Sequence, residues 1–211
     1  MGDTSRSRAD GRPESRSRRR RSGPAPSSYE FDFRSTARNG AVRMRFDGNE
    51  VAQLTVVPQK PPKPDEVPLQ RDHYKGVFDP LTAIMALGQM AQDSRDLCRR
   101  TLSIFDGKHR FDLALSHRRD VEIRPANSRG QAVAGQLCRI RYVPLAGHRD
   151  NGETRDMARN HRLEVILRPV PDAGIAVPHE IRIPTFGGDI VITSRQIEIT
   201  TAQRQRIALV H

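Results

Sequence analysis

Tryptophan is absent from the 211 residues, and aromatic side chains make up only 5% of them. A stacking platform for single-stranded nucleic acid, which needs aromatic faces, therefore has little to be built from. No run is long and apolar enough to span a bilayer, and "LTAIMALG" is the best the chain offers. The positive residues at the start are followed by no apolar segment, so the N-terminus as written is no secretory signal. Nucleophile-elbow, P-loop and dinucleotide glycine patterns are missing, which removes the reactions they serve. Cysteine is nearly missing too. Cys98 and Cys138 are far apart and form no CxxC, so zinc and thioredoxin-like spacings are excluded. The seven histidines include no HExxH, no i,i+4 helical pair and no neighbouring cysteine ligand. No metal and no cofactor is expected.

What is present divides the chain into three. Residues 1–28 are rich in Arg, Ser, Gly and Pro and bear no large apolar side chain after Met1. They cannot bury enough surface to offset the entropy of ordering, and read as a disordered tail. Residues 1–21 hold eight arginines against three acids, so the tail carries +5 of the formal charge of +11. Such a run binds RNA or acidic surfaces through charge alone, without having evolved for it. Nucleic-acid binding is thus kept as an alternative and not as the expectation. Residues 29–201 read as one β-rich domain, and 202–211 as a C-terminal tail.

Within the domain, polar and apolar residues alternate as in half-buried strands. "YEFDFRS" puts Tyr29, Phe31 and Phe33 on one face, and Val42, Met44 and Phe46 follow the same rule before the turn at Asp47-Gly48-Asn49. Pro58, Pro61, Pro62, Pro64 and Pro68 then make an extended connector, since proline fixes φ and lacks a donor. "VFDPLTAIMALGQMAQ" is the one helix expected. Asp79 caps its free amides, Pro80 suits its first position, and Leu81, Ile84, Met85 and Gly88 share a face, with Leu87 and Met90 as a second apolar edge. "TLSIFDGKHRFDLALS" is a hairpin turning at Asp106-Gly107, and strand patterns continue through "QLCRIRYV", "HRLEVILRP", "AVPHEIRIP" and "GDIVITSRQIEIT". The expected fold class is mainly β (α+β): a curved antiparallel sheet, a β-clasp or half-barrel, packed on one α-helix.

"LCRIRYVPLAGHRD" raises the chemical question, because a cysteine, a histidine and an aspartate fall within one short stretch. Cys138 shares a strand face with Ile140 and Tyr142 and should point inward, whereas His148 lies beyond a turn. An inward thiol in mid-strand is packing, not an exposed thiolate. Asp79, Asp106 and Asp112 form no carboxylate set, the first being a cap and the second a turn residue. No catalytic residue is assigned. Two readings of the cysteines stay open: reduced buried thiols, or a disulfide in an oxidising compartment.

Taken in order, "GVFDPLTAIMAL", "CRRTLSIFDGKHRFDLAL" and "CRIRYVPLAGHR" resemble the bacterial proteins grouped as domain of unknown function 3108, over about Tyr29 to Thr200. Gly76, Val77, Asp79 and Pro80 match that family's helix start, and Phe105, Asp106 and Gly107 its hairpin. Cys98 and Cys138 match its cysteines; Pro144, Gly147, His148 and Arg149 match its Pro-x-x-Gly-His-Arg turn. These motifs are distinctive together and weak singly. The resemblance implies export to the periplasm, hence a Cys98–Cys138 disulfide, and carries no established catalytic residue. Members begin with a signal peptide and further strands where this chain has its Arg-rich tract. The start therefore reads as truncated or misassigned, and the chain as it begins would stay in the cytoplasm. The function expected is a non-enzymatic envelope protein whose curved sheet holds a lipid-like ligand or a partner segment. The alternative is a hydrolase using the Pro144–Asp150 turn.

Overall fold

The computed structural model describes residues 23–35, 39–89, 96–124, 132–185, 187–201 and 204–210. The basic tract, with its readings as a disordered tail and a polyanion ligand, lies up to residue 22 outside the described residues. Residues 23–27 already belong to the fold: Pro26 is buried, and the Ser27 carbonyl accepts a bond from the Phe46 amide at 3.0 Å.

The protein is mainly β, and every strand ladder is antiparallel. β1 (Ser28–Arg34), β2 (Asn39–Asp47) and β3 (Glu50–Val57) form a three-stranded meander. Gly48, with φ +59°, makes the β2–β3 turn that the Asp-Gly pair called for. A six-stranded meander follows: β4 (Arg100–Phe105), β5 (Arg110–Ile123), β6 (Val133–Ala146), β7 (Glu164–Val170), β8 (Ile175–Thr185) and β9 (Gly188–Thr193). Register shifts at Arg110/Phe111 and His117/Arg119 put bulges into the long β5–β6 ladder, and bulges bend and twist a strand.

Lys75 to Phe78 join the two sheets. Lys75 bridges Glu50, the Val77 amide bonds to the Asn49 carbonyl at 2.9 Å, and Phe78 pairs in parallel with Ile104 on the outer edge of β4. Val77 and Phe105 are fully buried there, packed with Tyr29, Val42 and Met44 of the meander. Each large side chain so buried contributes about 1.5–3 kcal/mol.

α1 (Pro80–Leu87) starts as its sequence requires. Asp79 is buried, and its carboxylate accepts from the Leu81 and Thr82 amides at 2.9 and 3.0 Å. The helix packs by a different face from the one expected. Ala83, Ala86 and Leu87 are buried in the main core, while Leu81, Ile84 and Met85 are 61%, 52% and 67% exposed. Small side chains let the helix lie close to the sheet. At Gly88 the approach is closest, since a Cβ there would stand 2.6 Å from the Ala176 carbonyl. Met90 lies outside the described residues.

Three other expectations change. A second helix, α2 (Gly152–Arg159), follows the His148 turn, capped by Asn151 through the Thr154 amide at 3.0 Å. "GDIVITSRQIEIT" breaks at Ser194, whose amide and hydroxyl bond to the His179 and Pro178 carbonyls, so that β10 (Gln196–Thr200) leaves the large sheet. The 202–211 tail contains β11 (Arg206–Val210), which pairs with β10 and buries Leu209 against Val170 and Val177. The polar Gln203–Gln205 make this end look like a tail, but the apolar run Ile207 to Val210 behind them pairs along β10.

Cys98 and Cys138 are joined in a disulfide, with Cα atoms 5.3 Å apart and both residues fully buried. It ties the chain after α1 to the middle of β6, inside the core that includes Ala83, Leu115, Ile140 and Val165.

Candidate functional site

Two places carry chemistry: the turn after β6 and an apolar cleft on the first meander.

At the turn, β6 runs on through Pro144 to Ala146, so Pro144 is a strand residue and not part of the turn as expected. Proline is tolerated because β7 pairs with β6 only from Gln136 to Arg139, leaving β6 open on that side farther along. Gly147 makes the actual turn with φ +76°, and a Cβ there would overlap the Lys108 carbonyl. The following residues hold the proline-rich connector. The Gly147 amide bonds to the Val67 carbonyl, the Val67 amide to the His148 carbonyl (both 2.8 Å), and Arg149 pairs with Asp65 at 2.8 Å.

His148 is buried. Its Nε2 lies 3.3 Å from the Arg110 carbonyl and its Nδ1 3.1 Å from the Tyr142 hydroxyl. The same hydroxyl lies 3.2 Å from Nε2, and because a carbonyl only accepts, the contact with Arg110 is a hydrogen bond in the tautomer that carries its proton on Nε2. His109 stacks on the ring at 4.7 Å and is itself bonded through Nδ1 to Asp106 at 3.0 Å. Burial first, then neighbouring His109, holds the His148 imidazole below the ordinary histidine range. Burial and the negative charge of Asp106 push the Tyr142 phenol up to about 12. Burial also pushes the Asp106 carboxyl up, but bonds from the His109 side chain and the His109 and Lys108 amides together bring it below the usual carboxylate range.

The thiol, imidazole and carboxylate of "LCRIRYVPLAGHRD" do not meet. Cys138 is locked in the core, His148 has both nitrogens engaged, and Asp150 pairs with Arg155 at 2.7 Å. Asp106 serves the hairpin, donating nothing and accepting from the Lys108 and His109 amides at 2.8 and 2.6 Å. Asp112 is bonded to Arg110 at 2.6 Å. Among the described residues no three His, Cys, Asp or Glu side chains converge on a metal position. A depression of about 280 Å³ beside the turn is lined by Lys108, His109, Tyr142, His148 and residues of α2, including Thr154. In sequence His109 matches no ligand or catalytic spacing. Its partner lies across the sheet, and no local spacing announces that.

The cleft is larger, about 680 Å³. Tyr29, Phe31 and Phe33 stack in a row along β1, their ring centroids 6.4 and 6.0 Å apart. In register beside them stand Met44, Val42 and Gly40 of β2, then Leu54 and Val56 of β3. Half of this apolar face is covered by Val77, Phe105, Leu69 and Tyr74. The other half, with Phe33, Val42, Leu54 and Val56, is the floor of the cleft. The connector, with Pro58, Lys60, Pro61 and Lys63, forms one wall; the Gly107-Lys108 hairpin forms another. Gly107, with φ +97°, is pressed so close to Val42 that a Cβ would stand 2.4 Å from its methyl group. The floor was half visible in advance, because Leu54 and Val56 alternate with Gln53 and Thr55 while only a connector follows.

No family model, curated protein or solved structure matches the chain. No helix among the described residues is long and apolar enough to cross a membrane, which leaves strand-built membrane proteins untouched.

Proposed function

We propose that the protein is a non-enzymatic component of the bacterial envelope that holds a lipid-like, amphipathic ligand on the open half of its first sheet. One observation carries this reading: an apolar floor of Phe33, Leu54 and Val56, backed by the buried Val42, opens into a cleft of about 680 Å³. That size falls within the range of about 300–1,000 Å³ typical of small-molecule sites. Membership of the domain of unknown function 3108 group and residence in the periplasm belong to the same proposal. The buried Cys98–Cys138 disulfide supports them, since such bonds persist in oxidising compartments.

The test is uptake by delipidated protein of a long-chain amphiphile, followed by native mass spectrometry and by fluorescence of a chain-labelled probe. Uptake that falls at least tenfold in Leu54→Asp, with unchanged circular dichroism, is the expected result. Failure of the delipidated protein to take up any amphiphile sinks the reading, as does a Leu54→Asp variant that binds equally well.

A second reading, a hydrolase at the Pro144–Asp150 turn, rests on the Asp106–His109 bond beside the smaller depression. It requires an esterase or related activity that His109→Ala abolishes without loss of folding.

A further inference from the structure

We infer that the ligand of the cleft is a single-chain amphiphile with an anionic headgroup, held at the mouth by Lys60, Lys63 and Lys108. This rests on the amphiphile reading above and adds the chemical class of the polar end.

The three ammonium groups come from two distant parts of the chain and line one cleft. Lys60 and Lys63 stand on the connector, and Lys108 on the hairpin that faces it. Two constraints fix the connector. Its prolines remove backbone freedom, and its far end is sewn to the Gly147–Asp150 turn. There the Asp150 amide bonds to the Asp65 carbonyl at 2.7 Å, beside the Arg149–Asp65 pair and the two Val67 bonds. Lys108 is set by the hairpin, whose Asp106 carboxylate accepts the Lys108 amide. The lysines are thus carried on braced backbone, although their side chains reach into water.

Among the described residues only one carboxylate, Glu66, lines the same cleft. Its side chain is largely buried and lies 3.8 Å from the Lys108 ammonium. Lys60 and Lys63 have no ion-pair partner among the described residues. Three cations against one anion leave the mouth positive, next to a floor that is purely hydrocarbon at Phe33, Val42, Leu54 and Val56. A ligand complementary to both has an acyl chain at one end and a carboxylate or similar anion at the other. A neutral alcohol of the same length meets the floor but leaves the ammonium groups mutually repelling, and a cationic head adds to that repulsion.

The experiment compares palmitate, hexadecanol and hexadecyltrimethylammonium on the delipidated full chain, at low and at high salt, with Lys60→Gln/Lys63→Gln/Lys108→Gln beside the wild type. Palmitate is expected to bind roughly tenfold more tightly than hexadecanol, as three exposed ion contacts allow, and the cation most weakly. The triple variant should bring palmitate down to the hexadecanol level and leave hexadecanol unchanged. Salt should weaken palmitate alone. Equal binding of palmitate and hexadecanol by the wild type overturns the headgroup inference and leaves the amphiphile reading standing. A preference for palmitate that survives in the triple variant also overturns it, because the anion is then read elsewhere. If none of the three binds, the proposed function falls and this inference with it. The salt comparison uses the wild type only, so it decides the matter even if the variant folds poorly.

Discussion

The imidazole of His109 lies nearly flat against that of His148, with ring centroids 4.7 Å apart and planes 15° from parallel. Two stacked rings cannot both take a proton without placing like charges in contact, and His148 is buried as well. Its protonation is therefore easier in the unfolded chain than in the folded one.

That difference fixes a pH dependence. The folded-state pKa of His148 is depressed, so the associated stability is present above the unfolded value, about 6.5, and is lost as pH falls through the folded value. Tm should therefore decline on acidification from pH 7 toward pH 5 more steeply in the wild type than in His148→Gln. Glutamine keeps a donor and an acceptor for the Arg110 carbonyl and the Tyr142 hydroxyl while removing the titrating ring. Parallel Tm profiles for the two proteins would exclude the effect.

Removing the cross-link should be costly. The bond closes a loop between residues 40 apart, and the chain-entropy estimate for such a loop is roughly 4 kcal/mol. Cys98→Ala/Cys138→Ala should shift the urea midpoint down accordingly, and dithiothreitol should do the same to the wild type. A midpoint insensitive to both would mean that the cysteines are not joined.

Two glycines give opposite expectations. Gly147 combines φ +76° with a backbone carbonyl where its Cβ would be. Gly147→Ala should cost on the order of 2–3 kcal/mol or more. Gly152, in the first turn of α2, has nothing near its Cβ position, and Gly152→Ala should stabilise by up to about 1 kcal/mol. Thermal denaturation of the pair checks both signs together.

The packing of α1 is tested in the same way. Met85→Lys on the open face should change stability by no more than about 0.5 kcal/mol. Ala83→Leu, forced between helix and sheet, should cost roughly 1–3 kcal/mol. Reversed magnitudes would show that the helix is seated on its Leu81, Ile84 and Met85 side after all.

Much of this fold could be read from local pattern. The alternation of Tyr29, Phe31 and Phe33, the Asp106-Gly107 hairpin and the Asp79-Pro80 helix start are short-range signals, and each appears where it was expected. The helix face was not legible, because a sheet can accept small alanines as readily as large aliphatics. Which it takes depends on how closely Gly88 lets the backbone approach Ala176. β11 is a short apolar run, Ile207 to Val210, hidden behind the polar Gln203–Gln205, and it becomes a strand by pairing with β10. The His109–His148 stack and the cleft are long-range as well. Both depend on how the β4–β5 hairpin meets the end of β6 and the first meander, and spacing along the chain does not record that.

The bond between Cys98 and Cys138 has a topological effect beyond its contribution to stability. It converts the stretch between them into a covalent ring, and that ring contains Gly107 and Lys108 at the edge of the cleft. Even with both sheets melted, the chain entering β4 remains leashed to β6, with the whole β4–β5 hairpin inside the ring. A chain recovering from denaturation would begin with the two outer strands of that ring, β4 and β6, already held near each other.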